Sequence, residues 1–106
     1  MLRLNVKNGF VYILTNKNKT TLYVGVTSDL RYRLWQHKTK FYPNSFSARY
    51  ELNRLLYFKF FERIDEANKY ERYLKGKSRA YKEKLIAEIN PGWNDLSELA
   101  NDVQIF

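Results

Sequence analysis

Six side chains in this sequence belong to types that can work on phosphate esters: Tyr12, Tyr23, Arg33, His37, Glu71 and Lys75. A phenol or an imidazole can pass a proton. A guanidinium presents a planar fork that matches phosphate oxygens. A carboxylate can hold a hard cation. The chain has no cysteine and one histidine, so thiolate sites are excluded and a zinc site has too few ligands. Any catalytic metal would therefore be a hard cation held by oxygen, with Mg²⁺ the natural choice. Each residue also has an ordinary structural reading. Strand tyrosines are usually packing residues, and Glu71 with Lys75 can be a surface pair at i,i+4. Tyr12 stands out because it lies in an otherwise apolar run, where a buried hydroxyl needs a partner.

The bulk composition sets the frame. At 106 residues the chain is expected to form a single domain over residues 1–106. A chain of this size hides roughly two-thirds of its unfolded surface, and 44% hydrophobic with 17% aromatic residues supplies the core. Nineteen Lys and Arg against eleven Asp and Glu leave a net charge of +8. Such a surface attracts phosphate polymers, although an ordinary basic protein fits charge alone equally well. No stretch has the length and apolarity of a bilayer span or a secretory leader. The expectation is a cytoplasmic protein with no membrane partner.

The elements that must position these residues follow from the patterning. Gly9 to Thr15 reads as a strand of β-forming apolar residues, Asn16 to Thr20 as a polar turn, and Thr21 to Val26 as a second strand. On that strand Leu22, Val24 and Val26 share one face, while Tyr23 and Gly25 share the other. Thr27, Ser28 or Asp29 caps a helix running to about Lys40, with Leu30, Leu34, His37 and Phe41 on one stripe. Arg33 lies beside that stripe on the side of His37. Tyr42 to Glu51 reads as a loop, and Arg54 to Phe61 as a third strand on which Leu56, Phe58 and Phe60 alternate with Leu55, Tyr57, Lys59 and Phe61. Asp65 caps a helix over Glu66 to Lys77 with Ala67, Tyr70 and Leu74 inward. Ser78 caps another over Arg79 to Ile89 that buries Tyr81, Leu85 and Ile89. Asn90-Pro91-Gly92 stops it, and Asn94 or Asp95 can open a short last helix. The expected fold is α+β, a small three-stranded antiparallel sheet flanked by helices in the order β-β-α-β-α-α.

The segment Phe10-Val11-Tyr12, ten residues, then Tyr23-Val24-Gly25, followed by Thr27-Ser28-Asp29-Leu30 and Arg33, resembles the GIY-YIG nuclease family. Phe10 stands where the first motif usually has glycine, with Gly9 one residue earlier. Downstream, Glu71 with Lys75 resembles the helix that carries the family's metal-binding glutamate. Asn90-Pro91-Gly92-Trp93 resembles the ending of its small stand-alone branch. The resemblance covers residues 9 to 96. It implies a metal-dependent endonuclease acting on DNA and leaving a 5′-phosphate and a 3′-hydroxyl. One Mg²⁺ or Mn²⁺ would be held weakly by Glu71, and phosphate oxygens and waters would complete its shell.

The resemblance further implies a role for each site residue. Tyr12 or Tyr23 would be the general base, and Arg33 the clamp on the phosphate. His37 would be a helper in proton relay, against its alternative as a satisfied core histidine. Gly25 would leave room for the scissile phosphate, against its alternative as a strand glycine that permits close packing. Lys75 would contact substrate, and Asn90 would stand at the edge of the site. Further cations, namely Arg49, Arg54, Lys77, Arg79, Lys82 and Lys84, interleave with Tyr42, Tyr50, Tyr73 and Tyr81 and could hold phosphates and unpaired bases. Two other function classes share this pattern: a non-catalytic nucleic-acid-binding module that keeps the fold, and an adaptor that recruits a protein partner. Repair and recombination are both compatible settings.

Overall fold

The computed structural model describes residues 7–101. Its elements run β1 (Gly9–Thr15), β2 (Leu22–Thr27), α1 (Leu30–Thr39), α2 (Phe46–Arg49), β3 (Arg54–Phe61), α3 (Ile64–Lys75), α4 (Arg79–Ile89) and α5 (Ser97–Asn101). The three strands form one antiparallel sheet in the order β2-β1-β3. The α+β class and the order of the long elements are as expected, the short last helix forms as α5, and the short helix α2 is added.

The continuous apolar run of β1 has a direct cause. This central strand is buried along its whole length because both faces of the sheet are covered. On one face Phe10, Tyr12 and Leu14 pack with Leu30 and Leu34 of α1, Leu52, Leu55 and Ala100 of α5. On the other, Val11, Ile13 and Val24 pack with Leu56, Tyr57, Ala67 and Leu74 of α3 and Ile86 of α4. Each large side chain removed from water this way contributes roughly 1.5–3 kcal/mol before entropy is counted.

Gly9 has a packing reason of its own. A Cβ there would run into Ile64 and Ala67, so the missing side chain lets α3 lie against β1.

β3 departs from the alternation read in the sequence. Ile13 pairs with Tyr57 and Leu14 with Leu55, leaving Leu56 as an extra residue in the ladder. After this bulge the faces exchange. Leu55 and Phe58 belong to the first core, while Leu56, Tyr57 and Phe61 belong to the second.

The helices show four further differences. α1 is capped by Asp29, whose side chain accepts from Tyr32 N–H, and it ends at Thr39 because Lys40 adopts a left-handed conformation. The turn at Lys40 takes Phe41 off the buried stripe, and it is exposed. Within the expected loop, Ser45 accepts from Ala48 N–H and starts α2. α3 begins two residues before the expected start, with no side-chain cap, and ends at Lys75. Asp65 instead pairs with Arg63. α4 starts at the expected Ser78 cap, but its inward residue is Ile86. Leu85 is half-buried, and Tyr81 and Ile89 are exposed. The helix touches the sheet chiefly through β3, and one central turn meets it there.

The C-terminal segment is tied down by Asp95. Its carboxylate accepts from Leu55 N–H on β3, from Ser97 N–H at the start of α5 and from Lys38 Nζ on α1. No helix among the described residues is long and apolar enough to cross a membrane.

Candidate active site

The site is built around the hydroxyl of Tyr12. This residue sits mid-strand in β1, fully buried, and its cross-strand partner on β2 is Gly25. A Cβ on Gly25 would collide with Cζ and Oη of Tyr12. The glycine therefore seats the tyrosine ring. The room expected for a phosphate at Gly25 is filled by the phenol.

Two side chains from α1 meet that phenol. Arg33 Nη1 donates to Tyr12 Oη at 3.3 Å, and His37 Nε2 lies 3.2 Å from the same oxygen. The one-turn spacing of Arg33 and His37 brings both to the Tyr12 hydroxyl. Arg33 is held from two more sides. Its Nη1 also reaches the Val26 carbonyl at 3.4 Å, and its Nε donates to Gln36 Oε1 at 3.1 Å. Gln36 was not singled out in the sequence, although its i+3 spacing from Arg33 was visible there.

The electrostatics of the trio follow from burial. Loss of water pushes the Tyr12 phenol up to about 12, opposed by the charge and hydrogen bond of Arg33, so it is protonated at neutral pH. Burial and then the Arg33 charge push His37 down to about 4, so its imidazole is neutral. Arg33 can only donate. The Tyr12 proton can therefore be shared with His37 Nε2 when the imidazole carries its own proton on Nδ1.

Beside this trio lies an open cleft of about 340 Å³. Arg33, Gln36 and His37 of α1 form one side, Tyr42, Ser45 and Phe46 the other, and Tyr23 of β2 also borders it. Tyr23 links the parts of the site. Its ring centroid is 6.1 Å from His37 and 6.4 Å from Tyr12, and it stacks on Phe46 at 6.0 Å. The Lys75 ammonium of α3 stands 5.8 Å from the Tyr23 ring centroid. Lys75 Nζ is in turn 2.7 Å from the Glu71 carboxylate, whose side chain is only 13% exposed. The Glu71 charge is close enough to act on Tyr12, where it raises the phenol's pKa. Tyr12, Tyr23, Arg33, His37, Glu71 and Lys75 thus form one connected set.

Two sequence expectations meet a different geometry. Asn90 is buried, and its Nδ2 donates to the carbonyl of Leu56, the bulged residue of β3, and to that of Asn94. It is not among the cleft's lining residues. Its side chain is committed to holding the sheet and the following turn. Arg79, read as a possible phosphate contact, donates to the carbonyls of Lys19 and Thr20 and to Glu83, pinning the β1–β2 turn to α4.

The outer face of α1 and the segment after it contribute more than was expected of them. Tyr32 stacks on Trp35, Trp35 meets Phe41, and Phe41 meets Tyr42 edge-on, all of them exposed. Phe46 and Tyr50 of the α2 turn pack on each other nearby. The Ser45 cap was the one sequence signal that this stretch is ordered.

Glu71 can offer a metal one hard carboxylate. No group of three or more His, Cys, Asp or Glu that could hold a metal occurs among the described residues. The donor set fits a hard divalent cation that shares its shell with phosphate and water.

Comparison with known proteins gives the chain its relatives. The chain is 38% identical over 82 residues to the UPF0213 protein CPE1444 of Clostridium perfringens, covering 74% of this chain and 82% of the relative. The solution structure of the UPF0213 protein BH0048 from Bacillus halodurans superposes with a TM-score of 0.53 at 28% identity, over 87% of this chain and 96% of that one. A family model described as the GIY-YIG catalytic domain matches residues 8–85, which hold every residue of the connected set, and the chain belongs to the GIY-YIG nuclease family.

Proposed function

We propose that this protein is a metal-dependent DNA endonuclease that hydrolyses phosphodiester bonds to a 5′-phosphate and a 3′-hydroxyl. The observation that carries the reading is the anchoring of Arg33 beside an open cleft. Tyr12, Gln36 and the Val26 carbonyl hold its guanidinium in place before substrate arrives. Preorganised positive charge of this kind stabilises the charge that develops on a phosphate in hydrolysis.

Each residue then has a task that follows from its position. Arg33 binds the non-bridging oxygens. Tyr12 is fully buried and bonded to Arg33 and His37, which makes it the residue that orients both. Of the two strand tyrosines, Tyr23 is the one that borders the cleft, so we assign it, as the phenolate, the attacking water's proton. His37 packs on both rings, and as a neutral imidazole beside the Tyr12 hydroxyl it helps to position them. Glu71 would hold one Mg²⁺ or Mn²⁺, weakly in the absence of substrate. A bound cation supplies Lewis acidity and charge at the leaving oxygen. Tyr42 and Phe46 at the cleft, with the net charge of +8, give a surface for unpaired bases and phosphates. We place the protein in the cytoplasm, acting in DNA repair or recombination, with a protein partner supplying any targeting.

The test is a cleavage screen over duplex, flap, branched and single-stranded DNA with Mg²⁺ or Mn²⁺. Wild-type protein should cut at least one substrate only when the divalent ion is present. Glu71→Gln and Arg33→Ala should each lower that activity by about a hundredfold or more, the scale of a lost transition-state contact. A wild type that never outperforms Glu71→Gln on any substrate refutes the enzyme. If it still binds DNA with a steep salt dependence, it is a binding module that keeps the fold.

A further inference from the structure

We infer that Lys75 is an exchangeable counter-ion of Glu71, which blocks metal uptake until a DNA phosphate draws the lysine away. The inference rests on the assignment of Glu71 as the metal ligand. Glu71 lies in the penultimate turn of α3 with its side chain 13% exposed, and Lys75 one turn later holds its carboxylate at 2.7 Å. Such a pair on an open helix face is weak and ordinary. Here one partner is largely shielded from water, and the lysine also faces an aromatic ring of the cleft. The Glu71 side chain accepts no other hydrogen bond among the described residues, so Lys75 is its one direct cationic partner there.

A divalent cation and an ammonium cannot share one carboxylate without strong mutual repulsion. Metal binding is therefore favoured by a lysine that has moved off the carboxylate, and the two cations compete for Glu71. The lysine is able to leave: its side chain is 49% exposed and its four-carbon stem is flexible. Its next partner is also indicated by position. The ammonium stands 5.8 Å from the centroid of the Tyr23 ring, and Tyr23 borders the cleft in which Arg33 would grip a phosphate. A phosphate in that cleft offers Lys75 a new anion at the same time as it offers the metal additional oxygen ligands. Metal and DNA then bind with positive coupling, and the free protein holds metal poorly because its ligand is already neutralised.

The experiment measures Mn²⁺ affinity of the full chain by the electron paramagnetic resonance signal of free Mn²⁺. It is run with and without a phosphorothioate oligodeoxythymidylate that resists cleavage. Lys75→Met removes the ammonium and keeps most of the stem, while Lys75→Arg retains the charge. Without DNA, Lys75→Met should bind Mn²⁺ about tenfold more tightly than wild type, and Lys75→Arg should bind like wild type. Adding the oligonucleotide should tighten wild type more than Lys75→Met, so that the gap narrows. If Lys75→Met binds Mn²⁺ no better than wild type while Glu71→Gln loses binding, the counter-ion role is wrong and the metal-ligand assignment stands. If Glu71→Gln binds Mn²⁺ as wild type does, both fall together. A gap that persists unchanged with DNA removes the coupling to phosphate.

Discussion

Tyr12 and Gly25 face each other across the β1–β2 ladder, and the ring of the first occupies the space that a side chain on the second would need. The same ring carries the hydroxyl that holds Arg33 and His37 in place. A methyl group at position 25 therefore acts on the whole trio through one displaced phenol. Gly25→Ala is expected to destabilise the fold by about 1–3 kcal/mol through overpacking. It should also lower cleavage more than its remaining folded fraction explains. Urea denaturation beside a cleavage assay at a temperature where the variant is folded separates the two effects. A fully active variant would mean that the ring moves without disturbing Arg33.

The two tyrosines should fail differently. Tyr12→Phe keeps the buried ring and removes the hydroxyl, so it loses about 1 kcal/mol of stability. It also loosens Arg33, which should show as weaker DNA binding together with slower cleavage. Tyr23→Phe leaves the Arg33 contacts intact. It should bind DNA as wild type does and lose about a hundredfold in rate, within the range for a lost general base. Equilibrium binding in Ca²⁺ and single-turnover cleavage in Mg²⁺ measure the two quantities. A Tyr23→Phe variant that cuts at the wild-type rate would remove Tyr23 as the base.

Much of this site could be read from the sequence because short-range periodicity governs it. Period-two alternation put Tyr23 and Gly25 on one face of β2, and helical spacing put Arg33 and His37 on one side of α1. The parts that could not be read depend on contacts distant along the chain. The bulge at Leu56 has no glycine or proline to mark it, and it exchanges the faces of half of β3. The inward face of α4 is set by where that helix meets the sheet, so Ile86 is buried in place of Tyr81 and Ile89. That Tyr12 would take the space above Gly25 depended on the strand register, which a sequence alone leaves open.

His37 links the site to pH. Its folded-state pKa lies near 4, below the ordinary 6.5, because burial and Arg33 oppose its charge. The unfolded chain therefore takes up a proton near pH 6.5 that the folded chain refuses. Stability from the neutral imidazole is complete above pH 6.5, declines as pH falls toward 4, and does not change further below it. The imidazole is partly open to solvent, so the loss between pH 7 and 4.5 should be about 1–2 kcal/mol once screening is allowed for. Urea midpoints of wild type and His37→Gln across this range test it, with the variant expected to show the smaller slope. Equal slopes would place the titration elsewhere.

Asn90 separates holding the fold from touching the substrate. Its Nδ2 satisfies the Leu56 carbonyl where the bulge interrupts the ladder, and its Oδ1 accepts from Asn94 N–H. Asn90→Ala leaves a buried carbonyl without this donor and should destabilise the protein by about 1–3 kcal/mol. Asp in its place supplies no N–H and puts a carboxylate against that carbonyl, so Asn90→Asp should be worse than Ala near neutral pH. Because Asn90 does not line the cleft, the folded fraction of Asn90→Ala should bind DNA with wild-type affinity. Thermal denaturation beside a DNA titration well below the melting temperature gives both numbers. Lost affinity in a fully folded Asn90→Ala would show that the turn from Asn90 to Asn94 reaches the substrate after all.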